Sequence, residues 1–564
     1  METRSPSSRL AALAFWAALT AWVAFLRAPS YADAFFDPDV AATAYSARLF
    51  AHGSCIYPDA VETKPPGSYA ALALLLAIGR DMAGVHLLMV LYHLAVAALL
   101  ARLVARRGGV RAGRLAALAY GSFSAMGFVD GYAPNFETWT LLPLAATAAV
   151  IDGEDGGATW RPLAAGALAG TGILMKQQAL VVAGALGLTL LLPRGTARGR
   201  GVRAAGPALF ALGVLVPWAI ALGYFAAKGC VGPLVAALSP ARNATYVASN
   251  LPGEILARAG RFFGTFARHA WFLVAGAAAG TVVLARSPKE RSLLVPAGAW
   301  LGGALAATWA GTMFFPHYAV LLLPPLAALA GPGMDAAARA ARRRPARIGL
   351  TVLAALLVAG NLHREVRLSW VAARDLVRTG RVESRELFRL NASYGPDWND
   401  YACGLLNLEY ELYARMAGGY IRERSAPSEK ILVYDYLPSV YWFADRRAPT
   451  RHHMNFDVAR ELPDDYGRWF SRETEALRRN REELLRDLTA RPPRFIVRAR
   501  WERPRVWDSA LNPRNVYGDP MNYALWRTPL FPDLKDFVDR HYRPAKDAPD
   551  TPLSILERDD STFP

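Results

Sequence analysis

The sequence predicts a multi-pass α-helical membrane protein with a soluble α/β domain at its C-terminus. Of its 564 residues, 53% are hydrophobic and the mean hydropathy is +0.15, which is unusual for a water-soluble protein. Apolar blocks separated by short charged loops run from Leu10 to Leu362, whereas charged and aromatic residues mix from His363 to Pro564. We therefore expect a membrane domain over residues 1–362 and a soluble domain over residues 363–564.

Eleven segments are apolar and long enough to cross about 30 Å of hydrocarbon. They lie at roughly 10–26, 83–104, 115–131, 136–151, 162–176, 177–192, 204–226, 270–285, 293–310, 318–333 and 348–362. The first is too long for a usual signal-peptide core, so we predict an uncleaved span. The segment Ser68–Gly79 is too short to cross and is predicted to be an interfacial or re-entrant helix.

Basic residues predict the orientation of these spans. The chain has 64 Lys and Arg against 47 Asp and Glu, a formal net charge of +17. Many of these bases cluster in alternate loops: Arg106, Arg107, Arg111 and Arg114; Arg194, Arg198, Arg200 and Arg203; Arg286, Lys289 and Arg291; and Arg339, Arg342, Arg343, Arg344 and Arg347. The loops 129–135 and 311–317 contain none. Basic loops of membrane proteins face the cytoplasm, so we expect the N-terminus inside and the C-terminal domain outside. Since this rule accounts for the excess of basic residues, we expect no nucleic-acid partner. The Ala- and Arg-rich composition favours a bacterial cytoplasmic membrane.

Two long outer loops, 28–67 and 227–269, are predicted to roof a cavity with surface helices. Cys55, Cys230 and Cys403 lack the paired spacing of a metal cluster, and a bridge between Cys55 and Cys230 is left open. In the tail, Lys430–Tyr434 and Arg494–Val497 read as strands on either side of a helix at 464–490, which predicts a parallel βαβ unit. No glycine-rich phosphate loop accompanies this unit, so we expect it to pack or to contact substrate rather than bind nucleotide.

The first outer loop carries the strongest functional signal. Asp37 and Asp39 lie just beyond a membrane span, where carboxylates are costly unless they are paired or used. The alternative is that they only cap the next helix, with Asp39 as the N-cap. Lys64 precedes two prolines that lead into the short apolar helix, which aims its ammonium at the level of lipid phosphates; a lysine held by bulk headgroups is the alternative.

Three further places put polar residues on the same outer side. Asn135 and Glu137 lie at the end of one span, Lys176 lies between two apolar runs, and His317 and Tyr318 begin another span. Each alone fits a helix cap or an aromatic belt. Their shared side predicts a common site.

These residues resemble a known family. Asp37-Pro38-Asp39, the spacing to Gly53 and Lys64-Pro65-Pro66-Gly67 are similar to the first-loop signature of the GT-C glycosyltransferases related to protein O-mannosyltransferases (glycosyltransferase family 39) and to the lipid A aminoarabinose transferase. Asn135-x-Glu137, Lys176-Gln177 and Pro316-His317-Tyr318 are similar to further patterns of its bacterial members. The resemblance covers most of the chain.

The resemblance implies an inverting transfer of a sugar from a polyprenyl-phosphate donor to an acceptor hydroxyl or amine on a glycan, lipid or protein at the outer membrane face. It implies Asp39 as the base, with Asp37 as its partner or substitute, because many members have Asp-Glu where this chain has Pro38-Asp39. Lys64 and Lys176 would hold the phosphate, His317 and Tyr318 would support them, and Asn135 and Glu137 would line the sugar pocket. No cofactor is required, although Asp37 and Asp39 are able to bind a divalent metal.

Two other functions stay open from the sequence. A transporter also needs many spans and intramembrane charges, but here the charged candidates share one face and the sequence shows no inverted repeat. A non-catalytic scaffold whose tail binds an envelope partner is the second alternative.

Overall fold

The computed structural model describes residues 6–32, 34–35, 37–153, 160–192, 200–239, 252–287, 290–312, 314–340, 358, 360–382, 386–387, 390, 408–435, 437–454, 458, 475–499, 530–551 and 553–563. Helices dominate the N-terminal part of this chain. They are α1 (Pro6–Leu26), α2 (Pro38–Ala51), α3 (Ile56–Asp59), α4 (Gly67–Gly79), α5 (Met82–Phe123), α6 (Phe136–Ile151), α7 (Trp160–Met175), α8 (Ala179–Leu188), α9 (Arg200–Ala227), α10 (Val231–Ala237), α11 (Pro252–His269), α12 (Trp271–Arg286), α13 (Leu294–Ala310) and α14 (Leu323–Ala340). Short 3-10 turns lie at Ala28–Tyr31, Gly127–Val129, Thr189–Leu191, Arg291–Leu293 and Pro316–Leu322.

The multi-pass α-helical class is confirmed. Among the described residues, five helices are long and apolar enough to cross a membrane, and a sixth span results if α11 and α12, which meet at 88°, form one broken span. The five are Arg9–Leu26, Met82–Phe123, Ala205–Ala227, Arg291–Ala310 and Pro316–Ala340. The segments Gly67–Gly79, Phe136–Ile151 and Ala179–Leu191 are shorter apolar helices. The predicted span at 348–362 lies almost wholly outside the described residues, so the count of eleven stays a prediction.

The 42-residue helix α5 contains the predicted span 83–104 and the first nine residues of the predicted span 115–131. Its regular geometry breaks at Gly109, which has a φ of 87° that favours glycine. In a straight helix, Ala101 and Gly113 are twelve residues apart and would lie about 18 Å from each other. In the structure they touch, since a Cβ on Gly113 would collide with the carbonyl of Ala101. The two halves therefore fold back on each other as a hairpin.

Helix α14 lies at the centre of the bundle and is almost entirely buried. It packs against α5 and α12. A Cβ on Gly280 of α12 would collide with the carbonyl of Leu329, and one on Gly331 would collide with that of Ala112. Small residues at these crossings let the backbones approach closely, as is usual where helices pack within a membrane.

The two long loops, 28–67 and 227–269, are joined covalently. A disulfide links Cys55, which precedes α3, to Cys230, which precedes α10, with a Cα–Cα distance of 6.6 Å. The bridge left open by the sequence is therefore formed, and it ties the loop 28–67 to the start of the loop 227–269.

The C-terminal region is a small mixed α/β structure. It contains α15 (His363–Thr379), α16 (Leu408–Arg424), β1 (Ile431–Val433), α17 (Ser439–Ala444), α18 (Glu475–Ala490), β2 (Phe495–Ala499), α19 (Pro532–His541), β3 (Tyr542–Pro544) and β4 (Leu553–Arg558). The strand order is β1-β2-β4-β3. The predicted parallel pairing is confirmed, with Ile431 opposite Phe495. The predicted helix at 464–490 is described only from residue 475, and the antiparallel strands β3 and β4 were not predicted.

The two faces of this sheet pack against different partners, because strand side chains alternate. One face shares a core with the loop 28–67 and the start of α6: Val433 and Phe495 join Tyr45, Tyr57 and Phe136. The other face packs against α18 and α19. The C-terminal region thus shares a core with the loop 28–67 and with the end of the helical bundle at which α6 begins.

Candidate active site

Asp37 is the N-cap residue of helix α2. Its side chain accepts a hydrogen bond of 2.6 Å from the N–H of Asp39, and Pro38 occupies the first helical position. Both features stabilise a helix start. The N-cap is therefore Asp37, not Asp39, because the extended backbone of Asp37 leaves its side chain free to fold over the first turn.

Asp130 is a site residue that the sequence did not reveal. The predicted span 115–131 ends as a helix at Phe123, and the chain then turns through Ser124–Gly131. Buried Arg27 at the end of α1 holds this turn, since its guanidinium donates to the carbonyls of Ser124 (2.9 Å) and Gly131 (2.7 Å). Asp130 itself adopts the left-handed conformation, with a φ of 55°, which aspartate tolerates better than most residues.

Asn135 links the two acids. Its side-chain amide donates to Asp130 at 2.5 Å and to Asp37 at 3.4 Å. Burial, together with repulsion from Asp130 and Asp39, raises the pKa of Asp37 well above its usual range. Burial raises the pKa of Asp130 as well, to about 6. Two acids this close titrate as a pair, so the raised pKa values belong to the two carboxyls together.

His317 completes a group that fits a divalent metal ion. Ligand atoms of Asp37, Asp130 and His317 all lie within 4.8 Å of one another. Carboxylate and imidazole ligands suit several divalent metals. The sequence instead paired Asp37 with Asp39; Asp39 lies near enough to act electrostatically on both other acids, but it is not part of this group.

Glu137 and Lys176 form a buried ion pair beside this acidic group. Glu137 is the second residue of α6, and Lys176 follows the end of α7. The same carboxylate oxygen of Glu137 lies 3.8 Å from Nε2 of His317, and its other oxygen is buried with no hydrogen-bond partner among the described residues. The Lys176 ammonium also lies 5.0 Å from the ring centroid of Tyr318, a cation–π contact.

The segment around Lys64 is held by hydrogen bonds with side chains of the neighbouring helices α2, α3 and α4. Tyr57 on α3 donates 2.9 Å to the carbonyl of Lys64. Two residues earlier, the buried carboxylate of Glu62 accepts from Ser46 at 2.6 Å and from Tyr69 at 2.5 Å. These contacts define where the Lys64 side chain starts.

Lys64 and Lys176 meet at the ring of Phe136. Their ammonium groups lie 5.1 and 5.7 Å from its centroid. The approach is close because Gly67, at the start of α4, packs directly on the backbone of Leu174 near the end of α7. Among the residues that the structure describes, no acid pairs with Lys64. A half-buried cation without an acid partner, next to a second cation, is well suited to an anion.

The predicted residues thus converge. Asp37, Asn135, Glu137, Lys176, His317 and Tyr318 form one contiguous group, Lys64 joins it through Phe136, and Asp39 borders it. The site has an acidic end at Asp37 and Asp130 and a basic end at Lys64 and Lys176, with Glu137 and His317 between them. The sequence pattern does not predict Asp130 or Phe136 as site residues, although Asp130 lies in the loop 129–135, which contains no basic residue.

Comparison with known proteins identifies the fold. No protein-family model and no curated protein sequence matches the chain. Two similar solved structures are those of ArnT from Cupriavidus metallidurans, one bound to undecaprenyl phosphate and one in the apo state, with TM-scores of 0.58 and 0.55. Both are 16% identical to this chain and cover 99% of it and 100% of the ArnT chain. The chain therefore has the GT-C fold, as the sequence predicted.

Proposed function

We propose that this protein is an inverting glycosyltransferase that moves a sugar from a polyprenyl-phosphate donor to an acceptor hydroxyl or amine. The observation that carries the proposal is the pairing of a buried acidic group with two neighbouring ammonium groups inside a GT-C fold. The structural neighbour bound to undecaprenyl phosphate supports the choice of donor class.

The reaction needs a base at one end of the site. The acceptor oxygen or nitrogen attacks the anomeric carbon, the bond from that carbon to the phosphate oxygen breaks, and the acceptor's proton passes to a carboxylate. Asp39 is assigned as this base, with Asp37 as its partner or substitute. Asp37 contacts Asn135 and lies beside Asp130. These contacts favour Asp37 as the residue that keeps the base correctly charged and oriented.

The reaction needs positive charge at the other end. The departing lipid phosphate gains negative charge as the bond breaks, and fixed cations stabilise it. Lys64 and Lys176 are assigned to this role. Glu137 neutralises Lys176 in the structure and, with Asn135, would line the sugar pocket; His317 and Tyr318 would support the phosphate site.

The carboxylates of Asp37 and Asp130 and the imidazole of His317 would hold a divalent metal ion, which would supply Lewis-acid chemistry at the acidic end of the site. The reaction does not require it, because the two lysines supply positive charge themselves. Polyprenyl-phosphate sugar and an acceptor glycan, lipid or protein are the expected partners.

Two observations support an outer-face site in a cytoplasmic membrane. Glu137 is the second residue of the 16-residue helix α6, so it lies about 21 Å from the far end of the helix, near which Arg106 donates to the carbonyl of Ala149. Basic residues mark the cytoplasmic end of a span. The disulfide at Cys55 lies at the end that carries the site, and disulfides persist in oxidising compartments.

The test is sugar transfer by the purified full chain in proteoliposomes. A panel of radiolabelled polyprenyl-phosphate sugars is mixed with an envelope acceptor extract, and wild type is compared with Asp39→Asn and Asp37→Asn. We expect label to enter the acceptor fraction with wild type, and at least ~100-fold less with the variant that lacks the base.

The matched control is Asp445→Asn, an acid at the end of α17 that pairs with Arg48 outside the site. It should retain wild-type activity. Wild-type protein that transfers nothing from any donor would contradict the proposal, and solute flux across the same liposomes would then test the transporter alternative.

A further inference from the structure

We propose that Glu411, from the C-terminal region, is a positioning residue of the candidate active site, and that it acts by holding the backbone just before Asp37. This inference rests on the proposed function and extends it, because it makes the C-terminal region part of the catalytic apparatus. The geometry points to it through contacts that cross more than 370 residues of sequence.

Glu411 lies in the first turn of α16, and its side chain is almost fully buried. Both of its carboxylate oxygens accept from the N–H of Ala34, at 2.8 and 2.9 Å, and one accepts from the N–H of Phe35 at 3.3 Å. One helical turn later, Arg415 donates to the same carboxylate at 2.6 Å. A buried carboxylate is costly, and these donors compensate for that cost.

Other groups hold the same two residues from the opposite side. Nε2 of His86 lies 3.0 Å from the carbonyl oxygen of Ala34. The ring of Phe35 packs edge-on against Trp442 and Phe443 of α17, with centroid distances of 5.6 and 6.1 Å. Ala34 is therefore fixed at its N–H and at its carbonyl, and Phe35 at its N–H and its ring.

The position of these contacts relates them to the chemistry. Asp37 is two residues beyond Phe35 and belongs to the helix start that also fixes Asp39. Consecutive Cα atoms are 3.8 Å apart, so the position of the Phe35 backbone limits where Asp37, two residues further along the chain, can lie. Displacing a catalytic group by about 1 Å commonly costs ~100-fold in rate. The contacts of Glu411 hold a backbone segment and not a side chain, which suits a residue that sets a position.

The experiment compares Glu411→Ala and Glu411→Gln in the full chain in nanodiscs. Hydrogen exchange of a peptide that covers Ala34 and Phe35 reads the contact directly, without reference to activity. We expect exchange in this peptide to be at least ~10-fold faster in Glu411→Ala, since two amide donors lose their acceptor. Glu411→Gln keeps one carbonyl oxygen as an acceptor and should exchange at an intermediate rate.

Sugar transfer supplies the second readout. Glu411→Ala should lower kcat by about 10–100-fold and change the KM for the donor by less than ~3-fold, because the phosphate site is untouched. Glu411→Gln should recover part of the lost kcat. The control is Glu557→Gln, which removes an acid that pairs with Arg494 on the sheet, and it should leave both readouts unchanged.

The outcomes separate the inference from its alternatives. Unchanged exchange at Ala34 and Phe35 overturns it, and so does faster exchange with a normal kcat, which would mean a purely structural tie. If Glu411→Ala does not fold, the same criteria apply to Glu411→Gln. If wild type transfers no sugar, the proposed function has failed, while the exchange of the two amides still confirms or overturns the contact itself.

Discussion

Replacing Lys64 by methionine is expected to weaken binding of a polyprenyl phosphate by about 30-fold. The magnitude follows from the surroundings of the ammonium, which is half-buried, lies 5.1 Å from the ring centroid of Phe136 and pairs with no acid among the described residues. An ammonium about 4 Å from a phosphate oxygen gains roughly 4 kcal/mol at an effective dielectric constant of 20. Desolvation and the ordering of the side chain leave about 2 kcal/mol, the usual value of a contact to a charged group, which is about 30-fold in Kd.

The folded state should tolerate this change, because methionine keeps the apolar stem and no buried acid is left unpaired. The assay is binding of undecaprenyl phosphate to the protein in nanodiscs at fixed ionic strength. Lys228→Met is the matched control: Lys228 is also a lysine next to an aromatic ring, 6.0 Å from the centroid of Tyr224, but it is exposed and its ammonium donates to the carbonyl of Gly53. A Kd for Lys64→Met within 3-fold of wild type, or an equal loss in Lys228→Met, would refute the assignment.

Three further predictions follow from the candidate site and from the disulfide. Lys176→Met should lower the free energy of unfolding by about 3–5 kcal/mol, because it leaves the buried carboxylate of Glu137 without its cation. Adding Glu137→Gln should restore much of the loss in the melting temperature. Replacing Cys55 and Cys230 by serine removes a cross-link between residues 175 apart and should cost about 2–5 kcal/mol, seen as a lower Tm than that of the oxidised wild type; an unchanged Tm would show that the bridge adds nothing. Burial raises the pKa of both coupled acids, Asp37 and Asp130, with that of Asp130 at about 6. The pair therefore gains a proton at a higher pH than ordinary carboxyls do, so kcat/KM for transfer should fall as the pH drops through about 6; a profile that is flat from pH 5 to 7 would argue against a role for the ionised pair.

The sequence predicts most residues of the candidate site because they share one end of several apolar segments. Asn135, Lys176 and His317 were each ambiguous alone, and their common side made the prediction. Asp130 was missed because the apolar run before it continues past the true helix end at Phe123, so it was assigned to a span. Glu411 could not be found, because its partners are backbone groups and no local pattern marks such a contact.

The fold was predictable where one segment determines its own structure. The strands at Ile431–Val433 and Phe495–Ala499 are short runs of apolar and β-branched residues, and their parallel pairing follows from the helix between them. The strand Tyr542–Pro544 is three residues long and ends in proline, which is tolerated at the sheet edge it occupies but gives no strand signal. The turn within α5, by contrast, lies at Gly109, in the basic loop between the predicted spans 83–104 and 115–131.

A cryo-EM structure of the full chain in nanodiscs with undecaprenyl phosphate is the most direct test of the assigned site. We predict phosphate density within about 4 Å of the ammonium groups of both Lys64 and Lys176, at the basic end of the site. An ordered lipid phosphate bound elsewhere on the protein, with both lysines left without an anion, would contradict the assignment of this site to a lipid-phosphate donor.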